Sequence, residues 1–165
     1  MAITAYSAWW FLPFVLPLCV YVAYTDLSRM KITNKAVLAL AGVFVVLGPI
    51  ALPSFDLYLW RLAQLAIMLV FGIVLNAIGT MGAGDAKFIA ASAPYVALGD
   101  LRLVIALLAA SLLAAFVTHR LARHTPLRKL APNWESWDQG KKFPMGLALG
   151  ITLGFYLLLG ALNGM

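Results

Sequence analysis

The chain has 165 residues, of which 64% are hydrophobic and 11% charged, with a mean hydropathy of +0.94. Soluble domains carry about 25% charged residues, so this composition excludes an ordinary water-soluble fold and places the polypeptide in a membrane. The net charge of +6 does not indicate nucleic-acid binding, because the cations gather between apolar runs, as topology determinants do.

Six spans of about 20 residues each consume most of the chain. Residues 1–165 are therefore expected to form a single, all-α integral membrane domain. No charged side chain precedes Asp26, and the first helix is expected over 7–25, kinked by Pro13 and Pro17. A polar stretch follows, from Asp26 to Lys35. The second apolar segment is 36–53, and a short loop over 54–61 holds Asp56 and Arg61. The third segment, 62–79, contains Asn76, read as a helix–helix hydrogen-bonding residue. Next comes Gly82-Ala83-Gly84-Asp85-Ala86-Lys87, an ionisable residue directly behind two glycines. The fourth segment, 86–99, is short and contains Pro94, so it either starts before Asp85 or is partly re-entrant. Asp100 and Arg102 mark a tight turn before the fifth segment, 103–118. The longest polar loop is 119–142, and the last segment is 143–163.

The loops 26–35, 80–87 and 119–142 carry three, one and six basic residues, whereas 54–61 and 99–102 carry one each. Basic residues favour the cytoplasmic side. The first three loops are thus expected to be cytoplasmic and both termini outside. Asp26 and Asp85 then share the cytoplasmic side, while Asp56 and Asp100 lie opposite.

Two carboxylates at one membrane depth can hold a water between them. Like charges so close do not both ionise easily; the ionised member can take a proton from water while the protonated one polarises a peptide carbonyl. Gly82 and Gly84 leave room for an extended substrate backbone, since glycine permits close approach. Blander readings exist for each residue. Asp85 could be a helix N-cap, and Asp26 a solvated helix-end residue facing Arg29 or Lys31. Asn34 could cap the second helix or orient a carboxylate, and Lys87 could be a topology charge or tune Asp85. The lone Cys19 forms no internal disulfide, and no Cys/His cluster suggests a metal. His119 and His124 are read as solvated loop residues, and the five tryptophans as interface anchors. Neither a cofactor nor a metal is expected.

Three stretches together resemble the type IV prepilin peptidase family, membrane aspartyl proteases of the GxGD class. They are Asp26-Leu27-Ser28-Arg29-Met30-Lys31-Ile32-Thr33-Asn34, Gly82-Ala83-Gly84-Asp85-Ala86-Lys87-Phe88 and Lys142-Phe143-Pro144-Met145-Gly146-Leu147-Ala148. Thr33 stands where that family usually has proline, and Met145 where an aromatic is common. The resemblance implies a GxGD-type bundle with Asp26 and Asp85 as the catalytic pair. It assigns Gly82, Gly84, Lys87, Asn34, Pro144 and Gly146 to substrate binding or support. The implied substrates are prepilins or pilin-like subunits, cut after a short basic leader at the cytoplasmic face of the inner membrane. The size is similar to the short branch serving tight-adherence (Flp-type) pili, and no N-methyltransferase activity is expected. Archaeal preflagellin peptidases share the two-aspartate plan. The residues alone also admit a non-catalytic membrane component of a pilus or secretion assembly, or a proton-coupled transporter using the two aspartates. Oligomeric state is left open.

Overall fold

The computed structural model describes residues 1–139 and 143–164. Among these it contains six α-helices and no strand: α1 (Ala5–Arg29), α2 (Asn34–Ala51), α3 (Phe55–Ala77), α4 (Ala83–Ser92), α5 (Leu101–Arg123) and α6 (Met145–Asn163). All except α4 are long and apolar enough to cross a membrane. α4 has ten residues, about 15 Å of helix, half the hydrocarbon thickness. The fourth segment does start before Asp85, at Ala83, but it is not one continuous helix: this short helix is followed by 3-10 turns at Ala93–Tyr95 and Leu98–Asp100. Pro94, which has no N–H to donate, sits in the first of those turns.

Several helices run further than the hydropathy pattern indicates, because polar residues supply caps or complete the final turn. Thr4, Thr33 and Ser54 each accept a backbone N–H three residues on and so begin α1, α2 and α3. Thr33, not Asn34, is the cap of α2. α1 continues through Asp26 to Arg29 and ends where Met30 turns left-handed (φ 51°), its N–H donating to the Asp26 carbonyl. α3 starts at Phe55, so Asp56 and Arg61 are helical rather than in a loop. α5 runs to Arg123, which puts His119 on a helix.

α6 forms the centre. More than half of its span is buried, against about a tenth for α5, and its main neighbour is α1. Glycine makes that approach possible: a Cβ on Gly150 would lie 2.8 Å from the Cys19 carbonyl oxygen. On the other side of α1, Phe11, Phe44 and Tyr95 meet with ring centroids 4.9 to 5.6 Å apart. Each such pair adds about 0.5–1.5 kcal/mol beyond its area burial. The Tyr95 hydroxyl donates to the Leu40 carbonyl at 2.7 Å, tying the turn after α4 to α2. Large side chains such as Trp9, Val46, Leu38 and Ile73 face outward, as a bilayer-facing surface requires.

The end of the bundle opposite Asp26 is held by Asp100. Its buried carboxylate accepts from the Ala2 N–H at 2.7 Å, the Ile3 N–H at 3.0 Å and the Tyr156 hydroxyl at 2.9 Å. Asp100 is thus a tie between the N-terminus, α5 and α6, beyond the simple turn residue expected.

Candidate active site

Asp26 occupies the last turn of α1 with 6% of its surface exposed. Its Oδ2 accepts the Gly146 N–H at 2.6 Å. Gly146 is the second residue of α6, directly after the buried cap residue Pro144 and Met145. The first amides of a helix lack intrahelical partners, and negative charge is favoured there. Asp26 therefore caps a helix distant in sequence. The reading of Asp26 as a solvated residue facing Arg29 or Lys31 does not hold. A Cβ at Gly146 would fall 2.9 Å from both Asp26 Cβ and Oδ2, so glycine is required for this seat.

Asp85 is the third residue of α4 and half-buried. It is not the N-cap; Gly82 holds that position, without a side-chain cap bond. Among the described residues the Asp85 carboxylate takes part in no ion pair. It lies back over Gly82, where a Cβ would come 2.6 Å from Asp85 Oδ2. Gly84 faces Ile32, whose Cβ would stand 3.2 Å from a Cβ added there. Each glycine thus clears a specific neighbour. Burial, with the charge of Asp26 adding, pushes the Asp85 carboxyl up to about 6. The two acids, separated in sequence by two whole helices, α2 and α3, are electrostatically in reach of each other at one end of the bundle.

The remaining sequence candidates separate into two groups. Pro144 and Gly146 belong to the Asp26 seat. Lys87 and Asn34 form their own contact, Nζ donating to Oδ1 at 3.1 Å on the exposed surface; no ion pair joins Lys87 to Asp85. Lys142, part of the third motif, and Lys141 of the basic loop lie outside the described residues. Asn76 does not bridge helices: its Nδ2 donates to the Met81 carbonyl at 2.9 Å, closing the turn after α3.

One feature beside the acids was not apparent from the residues. His119 is buried on α5 and stacks on Trp137 at 4.9 Å, Trp137 stacks on Trp134 at 5.5 Å, and Trp134 meets Tyr24 edge-on at 6.3 Å. The Trp137 Nε1–H donates to the Ala131 carbonyl at 2.7 Å. His119 is therefore not a solvated loop histidine, and these two tryptophans are stacked into the loop rather than simply anchoring it in the interface. His124 is exposed, as expected. The aromatic stack fastens the loop after α5 to the end of α1, next to Asp26.

A multi-pass helical membrane protein with two acids coupled at one bundle end is the class that the fold and site define. Residues 13–119 match the model of the type IV leader peptidase family. That match covers well over half of the chain and contains both Asp26 and Asp85; the chain belongs to this family. The Pro144–Gly146 stretch lies beyond the matched residues. No curated protein and no solved structure matches the chain significantly.

Proposed function

We propose that the whole chain, residues 1–165, is one integral membrane aspartic endopeptidase that removes the short basic leader of type IV prepilins, with Asp26 and Asp85 as its catalytic pair. Family membership supports the peptidase class. The observation that carries the assignment to these two residues is that Asp85 feels the negative charge of Asp26, although 58 positions separate them (from 26 to 85, 58 residues intervene).

We assign the base role to Asp26, whose Oδ2 the Gly146 N–H orients, and the acid role to Asp85, where burial and the charge of Asp26 favour the proton. The pair still titrates as a unit. Water attacks the scissile carbonyl carbon and yields a proton to Asp26, while Asp85 gives its proton to the carbonyl oxygen. The resulting tetrahedral intermediate collapses as the C–N bond breaks. The leaving nitrogen takes the proton held by Asp26, and a proton returns to Asp85 from the new carboxyl group. Atoms and charges balance with water as the only co-reactant.

The charge bias of the loops supports a cytoplasmic site with both termini outside, in the inner membrane and in contact with lipid. We take its substrates to be Flp-type pilins. Coexpression with a prepilin tests the reading by gel shift: Asp26→Asn and Asp85→Asn should each leave the leader attached, and Asp56→Asn should still release it. Processing that survives either of the first two changes refutes the assignment.

A further inference from the structure

A cavity of about 530 Å³ lies between α3, α4, α5 and α6, towards the Asp100 end of the bundle. Its walls include Trp60, Ile67, Ile89, Val104, Leu108 and Leu153. Arg61 is the one charged side chain among its lining residues, and it is 7% exposed. A guanidinium carries five N–H donors. Here Nη1 reaches only Gln64 Oε1, at 3.5 Å, and Nε has no hydrogen-bond partner. The neighbouring acid makes no hydrogen bond with it, although its negative charge reaches the guanidinium. Asp100 is engaged by Ala2, Ile3 and Tyr156, and no ion pair links it to Arg61.

Such a buried cation in an apolar setting is costly unless an acceptor reaches it. We propose that this cavity is a binding site for an anionic diacyl phospholipid, its phosphate on Arg61 and an acyl chain along the apolar wall. Depth agrees with that occupant. Arg61 is six residues past Phe55, the first residue of α3, about 9 Å along the axis, a depth from which a long side chain can meet a headgroup. The adjacent Trp60 is 68% exposed, as an interfacial aromatic is. Size excludes a whole helix: a cylinder about 10 Å wide and 30 Å long occupies roughly 2,400 Å³, whereas an extended acyl chain is one carbon wide.

Native mass spectrometry of the full chain, released from vesicles of phosphatidylcholine with phosphatidylglycerol, tests the site. The wild-type chain should retain one phosphatidylglycerol with at least about tenfold preference over phosphatidylcholine, because both lipids offer a phosphate but the choline cation beside it in phosphatidylcholine opposes the Arg61 guanidinium. Arg61→Gln should abolish that preference. Val104→Trp, which fills the cavity and keeps Arg61, should abolish retention itself, and it guards against a folding defect in the first variant. Wild-type retention and preference in both variants overturns the proposal. So does a photo-crosslinker at position 104 that captures a coexpressed prepilin in place of lipid.

Discussion

The Gly146 amide donates to Asp26 Oδ2 across 2.6 Å, so the last turn of α1 and the first turn of α6 are fixed by a contact between residues 120 apart in sequence. An acid seated on a helix N-terminus keeps its orientation without a second side chain. The same bond explains why a glycine stands there.

Gly146→Ala therefore tests the seat. The new methyl would lie 2.9 Å from Asp26 Cβ and Oδ2, with the Asp26 side chain in the way from its Cβ to its carboxylate. Overpacking of this kind costs about 1–3 kcal/mol, and displacement of a reacting group by about 1 Å can cost ~100-fold in rate. Leader cleavage should fall ~10- to 100-fold, with a lower unfolding temperature in detergent. Unchanged cleavage would show that Asp26 does not depend on this amide.

Asp85 should titrate near pH 6. Burial is the larger cause and the Asp26 charge the smaller. In Asp26→Asn the like charge disappears, so the Asp85 titration should move down but remain above the ordinary carboxylate range of about 3.9. Because folding raises this carboxyl's pKa, the folded state binds more protons than the unfolded one between about pH 4 and 6, and stability falls as pH rises through that window. The pH dependence of the carboxyl infrared band, compared between wild type and Asp26→Asn, measures the shift. An upward or absent shift would mean that the two acids do not face one another.

Asp100→Asn should weaken the fold while leaving the chemistry intact. The carboxylate takes two backbone N–H groups and a hydroxyl. An asparagine amide would point a donor at one of those donors. The expected loss is about 1–3 kcal/mol, read as a lower denaturation midpoint, with cleavage per folded molecule near wild type. Asp56→Asn, at an exposed position in the first turn of α3, should change stability by less than about 1 kcal/mol.

Lys87→Ala should be mild. Its exposed bond to Asn34 links α4 to the start of α2, and exposed polar pairs contribute about 0.2–1 kcal/mol. Cleavage should stay within about threefold of wild type, matched by Asn34→Ala. A loss comparable to that of Asp85→Asn would instead place Lys87 on the substrate.

The aspartates, the glycine motif and the helical class were legible because charge and glycine stand out against apolar runs. That they share one end of the bundle followed from the alternation of apolar segments and polar loops. Helix ends were less legible, since Asp26, Asp56 and Arg61 lie inside helices closed by local caps that hydropathy does not register. The roles of Asp100 and His119 could not be read at all, and Gly146 was marked as a supporting residue without any sign that it seats Asp26. Each rests on a contact far along the chain: with Ala2 and Tyr156, with Trp137, and with Asp26. Nor does a pattern of apolar residues show that Pro94 divides the fourth segment into a short helix and 3-10 turns.

The central claim is that Asp26 and Asp85 act together on one peptide bond. The direct measurement is mass spectrometry of a pilin N-terminus after incubation of its prepilin with the purified chain in liposomes, for wild type, Asp26→Asn and Asp85→Asn. A leaderless pilin from wild type, and intact prepilin from each variant at equal folded amounts, is the expected result. Leader removal by either single variant at the wild-type rate would contradict it.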